Sequence, residues 1–169
     1  MLTLTKAIVL VPFLFGIAVA NMKCPDSGAR MHAGCEITST FAHSCSDVQS
    51  EINARVSGQY SAWHDPHNNG TYTLKMQTAE EMQLERLTGD EKYTDKMIFT
   101  FTSQDAGATC IVEACSQSQV TSILDFSTNY CNLHNLYCAE EGCRPVELSL
   151  TYQEKIGECT QHEDDCTTV

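Results

Sequence analysis

The spacing of apolar residues predicts one amphipathic helix in the stretch SCSDVQSEINARVSG, residues 44–58. Ser46 followed by Gln49 has the pattern of a capping box. The glycine that ends the stretch is a common stop signal. The apolar residues recur every four positions and share one helix face; they are Val48, Ile52 and Val56.

Alternation of apolar and polar residues predicts strands in most of the remaining chain, typical of an antiparallel sheet with one buried face. One helix against such a sheet indicates an α+β fold, with a sheet that is curved or closes toward a barrel. A curved sheet could enclose a small-ligand cavity, but we favour an ordinary solid core built from the same residues. These residues are Tyr72, Met76, Met97, Phe99 and Phe101. The predicted strands are residues 36–41, 71–78, 82–87, 96–103, 108–115 and 146–153, and residues 118–126 fit either strand or helix.

The first twenty residues have the layout of a secretory signal peptide. One Lys precedes an apolar run, and Ala18-Val19-Ala20 forms a small-residue cleavage site. We therefore expect residues 21–169 to be a single secreted, cysteine-rich domain. No later stretch is apolar enough to span a bilayer, so no membrane span is expected there.

Ten cysteines, all beyond the predicted signal peptide, indicate five disulfides in a secreted chain. The sequence does not determine their pairing. The spacing from Cys110 to Cys166 repeats with a 28-residue period, so either a duplicated module or a coincidence of spacing explains it. The cysteines are Cys24, Cys35, Cys45, Cys110, Cys115, Cys131, Cys138, Cys143, Cys159 and Cys166.

The charge balance is strongly acidic, with 22 Asp and Glu against 10 Lys and Arg and a formal net charge of −12. Such a surface repels nucleic acid and anionic lipid headgroups and favours solubility and cationic partners. We therefore exclude nucleic acid as a partner.

The stretch WHDPHNNGT, residues 63–71, is the first candidate site. His64, Asp65 and His67 offer two imidazoles and a carboxylate, the ligand types of Zn²⁺ and Cu²⁺ sites and of acid–base catalysis. Asp-Pro and Asn-Asn-Gly, however, are typical of a turn. Asn69 also begins an N-glycosylation sequon, so we favour an exposed, glycosylated turn.

The stretch CNLHNLYC, residues 131–138, is the second candidate. Cys131, His134 and Cys138 have the types and spacing of zinc ligands, although oxidising conditions favour disulfides. The stretch also resembles the active-site helix of secreted phospholipases A2 over about eight residues. That resemblance implies a general-base role for His134. Asn135 stands where that family has a calcium-binding Asp, Tyr130 replaces a Cys, and no Gly-rich calcium loop precedes them.

Acidic residues near the C-terminal end form the third candidate, a weak calcium site, because calcium prefers oxygen ligands. They follow no EF-hand spacing, and acidic runs are usually solvated. The residues are Glu140, Glu141, Glu163, Asp164 and Asp165.

Three functions remain open from the sequence. The favoured one is an extracellular binding or ligand-carrying glycoprotein, whose partner is another extracellular protein or a small apolar ligand. The second is a small secreted hydrolase that uses His134 or the His64/His67 loop. The third is an acidic protein associated with matrix or mineral. Standard enzyme motifs are absent, which makes an enzyme the less favoured class.

Overall fold

The computed structural model describes residues 24–140, 143–162 and 166–167. The predicted signal peptide and the acidic residues Glu141, Glu163, Asp164 and Asp165 lie outside these ranges. No helix within the described ranges is long and apolar enough to cross a membrane.

Six strands form one antiparallel sheet in the order β2-β3-β4-β5-β1-β6. Strands β2 and β6 are its two edges, so the sheet does not close into a barrel, which was one of the two predicted forms. The strands are β1 (Gly34–Phe41), β2 (Thr71–Gln77), β3 (Glu81–Leu87), β4 (Thr94–Gln104), β5 (Thr109–Ser118) and β6 (Tyr152–Cys159). A short 3-10 turn (Asp105–Gly107) joins β4 to β5.

Two helices, α1 (Cys45–Ser57) and α2 (Thr128–His134), cover one face of the sheet. Helix α1 contacts β2, β4 and β5, and α2 contacts β1 and β5. Alternate strand residues on the covered face are buried, which confirms the predicted α+β fold. Four of the five residues considered for a cavity belong to the solid core: Tyr72, Met97, Phe99 and Phe101.

Helix α1 confirms the predicted helix but begins with a different cap. Ser44, and not Ser46, is the N-cap, and its hydroxyl accepts a hydrogen bond from the backbone N–H of Asp47 at 3.1 Å. The carboxylate of Asp47 completes the capping box at the backbone N–H of Ser44. Gly58 is the C-cap, as predicted, and Val48 and Ile52 are fully buried.

A buried ion pair on α1 was not predicted. Glu51 and Arg55, four residues apart, have fully buried side chains, and Arg55 Nε donates to Glu51 Oε1 at 2.7 Å. The Arg55 guanidinium also donates to the carbonyl oxygens of Asn135 at 2.8 Å and Cys138 at 2.7 Å. Arg55 therefore holds the chain that follows α2 against α1.

Glu51 also explains why the last predicted strand was misplaced. The backbone N–H groups of Val146, Glu147 and Leu148 each donate to its carboxylate at 2.8 Å. Residues 146–150 therefore begin with a bend at Val146 and Glu147 and place Leu150 in the core, but they bind α1 and not the sheet. Exposed and less exposed side chains do alternate in residues 146–150, but strand β6 begins only at Tyr152.

The ten cysteines form five disulfides, as predicted: Cys24–Cys115, Cys35–Cys159, Cys45–Cys110, Cys131–Cys166 and Cys138–Cys143. The pairing does not follow the 28-residue period. Cys110 bonds to α1, whereas Cys138, one period later, bonds to a residue five positions away. The two halves of the repeated spacing therefore do not form equivalent modules.

We predict that Glu51→Gln lowers the free energy of unfolding by about 3–5 kcal/mol, because it leaves the Arg55 guanidinium buried without a counter-charge. Urea unfolding followed by far-UV circular dichroism measures the change. Glu147→Gln is the matched control, because Glu147 lies on the segment that Glu51 binds but is exposed. Equal unfolding midpoints for the two variants would show that the pair is not needed.

Candidate functional site

The WHDPHNNG loop is built around the carboxylate of Asp65, which is 1% exposed. Asp65 Oδ2 accepts from Arg86 Nε at 3.0 Å and from the backbone N–H of Gly70 at 2.9 Å. Asp65 Oδ1 accepts from the backbone N–H of His67 at 3.1 Å and from Asn135 Nδ2 at 3.3 Å. Asp65 therefore fastens its loop to β3 and to the end of α2.

The two histidines of this loop have different surroundings. His64 is exposed, and His67 Nε2 lies 3.2 Å from the Thr128 hydroxyl at the start of α2. Neither belongs to a group of three metal-ligating side chains among the described residues. Residues 66–69 form a turn, the local structure that the sequence favoured. Asn68 and Asn69 both have φ of 52°, a conformation that asparagine tolerates in turns.

Asn69 is exposed, so an attached glycan would project from the surface. Its neighbour Asn68 faces inward, and Asn68 Oδ1 accepts from Arg86 Nη2 at 2.7 Å. A side chain on Gly70 would collide with the Arg86 guanidinium, which is why glycine fits this position.

His134 lies at the centre of a cluster that joins α2 to strand β6. Its Nδ1 is 3.3 Å from Glu154 Oε2, and Nε2 is 3.8 Å from Glu140 Oε2. Tyr130 stacks on the imidazole with ring centroids 5.3 Å apart, and its hydroxyl donates to Glu154 Oε1 at 2.8 Å. The Tyr137 hydroxyl also donates to Glu154. The sequence predicted His134 as a candidate site residue, but it did not predict the contacts of Glu154 with Tyr130 and Tyr137.

Electrostatics favour an ionised Glu154 in this cluster. Burial, the largest influence, raises the pKa of Glu154, but the hydrogen bonds from His134, Tyr137 and Tyr130 together outweigh it and lower the pKa below 4.5. Burial, reinforced by the negative charge of Glu154, raises the pKa of Tyr137 well above 10.0. The tyrosines therefore act as donors to a carboxylate.

The chemistry open to this cluster is limited by its neighbours. Glu154 at Nδ1 orients the imidazole, as the partner of a general base does. Among the described residues, however, no serine or threonine hydroxyl and no thiol is hydrogen-bonded to His134. Cys138 and Cys143 approach His134 and Glu140 to within 4.8 Å, but they form a disulfide and lack the thiolates that zinc requires.

Of the five acidic residues considered for calcium, Glu140 alone lies in the described part of the chain. Its side chain is 57% exposed and accepts a hydrogen bond from the Tyr152 hydroxyl. A weak calcium site at this end of the chain stays a prediction.

A cleft of about 760 Å³, called here the apolar cleft, lies where the β3–β4 hairpin meets the segment between β5 and α2. Large apolar side chains stand exposed at its rim: Ile123 is 67%, Leu124 63%, Phe126 75% and Tyr93 50% exposed. Two carboxylates with little exposure, Asp95 at 2% and Asp125 at 8%, also line it. The cleft therefore combines an apolar rim with an acidic floor.

The segment at the rim is fixed by hydrogen bonds at several points. Gln161 Oε1 accepts from the backbone N–H groups of Asp125 at 2.8 Å and Phe126 at 2.9 Å. The backbone N–H of Gln119 donates to Thr94 O at 2.9 Å. Phe126 has φ of 50°, a conformation that a bulky residue rarely adopts and that is found at functional sites. The rim segment is thus hydrogen-bonded near both of its ends, while its large apolar side chains stay exposed.

Behind the cleft, helix α2 and its C-cap carry three asparagines that are hydrogen-bonded to polar side chains of the sheet and of the neighbouring loops. They are Asn129, Asn132 and Asn135, spaced three apart and fully buried. Asn132 Nδ2 donates to Asp95 Oδ2 at 2.8 Å, and Asn129 Nδ2 donates to Asp125 Oδ2 at 2.8 Å. The asparagines therefore set the positions of both floor carboxylates.

Sequence reasoning missed the floor carboxylates for an identifiable reason. Asp95 follows the turn-rich TGDEKYT and looks like a solvated strand end, and Asp125 lies in a stretch of ambiguous structure. The one available signal was the polar stripe of asparagines on a helix flanked by cysteines. A polar stripe on a short buried helix needs polar partners, and the floor carboxylates are the partners of Asn129 and Asn132.

The fold is an antiparallel sheet with helices on one face and five disulfides, which is compatible with an extracellular protein. The chain matches no protein-family model, and no curated protein matches it either.

We predict that Asn69 carries a glycan when the protein is made in a eukaryotic secretory pathway. Treatment with peptide N-glycosidase should increase gel mobility for the natural chain and for Thr71→Ser, which keeps the sequon. Asn69→Asp, which tolerates the positive φ, should show no shift. A shift that persists in Asn69→Asp would place the glycan elsewhere.

We predict that the stability contributed by Glu154 depends on pH. Because its pKa is lowered in the folded protein, the stabilisation is present above pH 4.5 and is lost as the pH falls through the folded-state pKa. Glu154→Gln should therefore lower the free energy of unfolding by about 1–3 kcal/mol at pH 7 and by less at pH 3.

Urea unfolding at several pH values measures this difference. Glu158→Gln is the control, since Glu158 is exposed on the same strand. A Glu154→Gln effect of constant size from pH 7 to pH 3 would contradict the assignment.

Proposed function

We propose that the protein is a secreted extracellular binding protein that carries a small apolar ligand in the apolar cleft. The observation that carries this proposal is the rim of large apolar side chains around a cleft of about 760 Å³. Ligand sites commonly have volumes of about 300–1,000 Å³ and are lined mainly by apolar side chains with a few polar groups. Five disulfides support an extracellular setting.

The exposed rim favours a ligand on energetic grounds. Fully burying a Leu, Ile or Phe side chain stabilises by about 1.5–3 kcal/mol, so a ligand that covers Ile123, Leu124 and Phe126 recovers a hydrophobic contribution that the free protein lacks. Contiguous exposed apolar patches mark interaction sites more often than ordinary surface. The concave shape favours a small molecule over a flat protein partner.

The hydrolase function has one observation in its favour, the pairing of His134 with Glu154. The cluster that contains this pair is not part of the apolar cleft. A ligand in the cleft would therefore lie away from the imidazole, and we propose binding in place of catalysis.

We predict saturable binding of the neutral fluorescent probe N-phenyl-1-naphthylamine, with increased emission and one site per chain. The double substitution Ile123→Ser and Leu124→Ser should weaken binding about tenfold or more, because it removes apolar contact area from the rim. Fluorescence titration measures both affinities.

Leu74→Ser is the matched control, because Leu74 is a partly exposed apolar residue on edge strand β2, outside the cleft. Its affinity should equal that of the natural chain. Equal losses in the control and the double variant, or no saturable binding, would overturn the proposed function.

A further inference from the structure

The floor of the apolar cleft contains an acidic group that is short of partners. Asp125 is 8% exposed, and its Oδ2 accepts from the backbone N–H of Asn129 at 3.0 Å and from Asn129 Nδ2 at 2.8 Å. Its Oδ1 is buried and has no hydrogen-bond partner. Three other buried polar atoms in the described part of the chain also lack a partner: Arg86 Nη1, Ser127 Oγ and Asn132 Oδ1. Their residues do not line the cleft, whereas Asp125 does.

Charge in the cleft is unbalanced as well. Its lining includes the carboxylates of Asp90, Asp95 and Asp125 and, within the described part of the chain, no Lys, Arg or His side chain. Lys92 binds Asp90 at 3.0 Å at the exposed tip of the hairpin. Arg86 lies on the strand next to Asp95, but its guanidinium donates to Asp65, Asn68 and the His67 carbonyl. The guanidinium makes no hydrogen bond to Asp125.

We propose that the ligand is a small organic cation, an apolar or aromatic body with an ammonium group, and that Asp125 binds the ammonium with Asp95 beside it. This inference rests on the proposed function of the cleft. An unpaired buried carboxylate oxygen is costly, and an ammonium donor supplies both the missing hydrogen bond and the missing charge. The exposed rings of Phe126 and Tyr93 are available for the apolar body and for cation–π contact.

Three probes of similar shape separate charge from apolar contact: tryptamine, which is a cation, 3-ethylindole, which is neutral, and indole-3-propionate, which is an anion. Isothermal titration calorimetry measures their affinities for the full chain. We expect tryptamine to bind about tenfold or more tightly than 3-ethylindole, because a charge-assisted hydrogen bond is added. Indole-3-propionate should bind most weakly.

Asp125→Asn should remove the preference for tryptamine while 3-ethylindole keeps its affinity, which also shows that the variant is folded. Asp105→Asn is the matched control, because it removes one acidic charge from an exposed turn at the opposite end of β4. This control should keep the preference.

The outcomes distinguish the two proposals. Equal affinities for tryptamine and 3-ethylindole, or a preference that survives in Asp125→Asn, would overturn the assignment of a cationic ligand and leave the apolar cleft as a binding site. No binding of any of the three probes would overturn both. A preference lost equally in Asp105→Asn would assign the effect to the acidic surface as a whole and also overturn the role of Asp125.

Discussion

Two buried ion pairs, joined through Asn135, hold the two helices and the sheet together. Arg55 of the first pair donates to the Asn135 carbonyl, and Asn135 Nδ2 donates to Asp65, which pairs with Arg86 of β3. Burying charges is unfavourable unless the charges are paired and the remaining donors and acceptors are satisfied. A shift of α2 would therefore remove Asn135 from the Arg55 guanidinium and from the Asp65 carboxylate together, and leave buried polar groups without partners.

This specificity matters because α2 is too short to be stable alone. Helices shorter than about 12–15 residues are marginal in water, and α2 has seven residues. Asn132 Nδ2 donates to Asp95 of β4, and the Ser116 hydroxyl of β5 donates to Asn129 Oδ1, so the asparagines hold α2 on the sheet. Asn129 Nδ2 also donates to Asp125, and the Cys131–Cys166 disulfide links α2 to the chain beyond β6. The same contacts that position the helix also position the acidic floor of the cleft, so the architecture and the proposed ligand site depend on one set of residues.

Local patterns predicted the elements whose burial follows from their own sequence. The stripe on α1 and the alternation in β4 and β5 repeat with the period of the structure, so the helix and the strands were found. Prediction failed where a distant group decides the outcome. Residues 146–150 alternate like a strand, yet the Glu51 carboxylate captures their backbone N–H groups from 95 or more positions away.

The candidate site was less accessible to sequence reasoning for the same physical reason. His134 was conspicuous, but its partner Glu154 lies 20 positions further along, on a strand that was assigned the wrong bounds. Asp95 and Asp125 resemble ordinary surface acids, and their burial arises only when α2 packs on the sheet. Asn135 was compared with a calcium-binding Asp, whereas its amide and carbonyl groups link two ion pairs.

The bond between Cys35 and Cys159 closes a covalent ring over most of the chain, since its two ends are 124 positions apart. A protease that cut the exposed rim segment would open this ring at one point without releasing a fragment. Both walls of the cleft would remain in one molecule, tethered through sulfur. A chain cut once in this exposed segment would therefore still be a single covalently linked molecule.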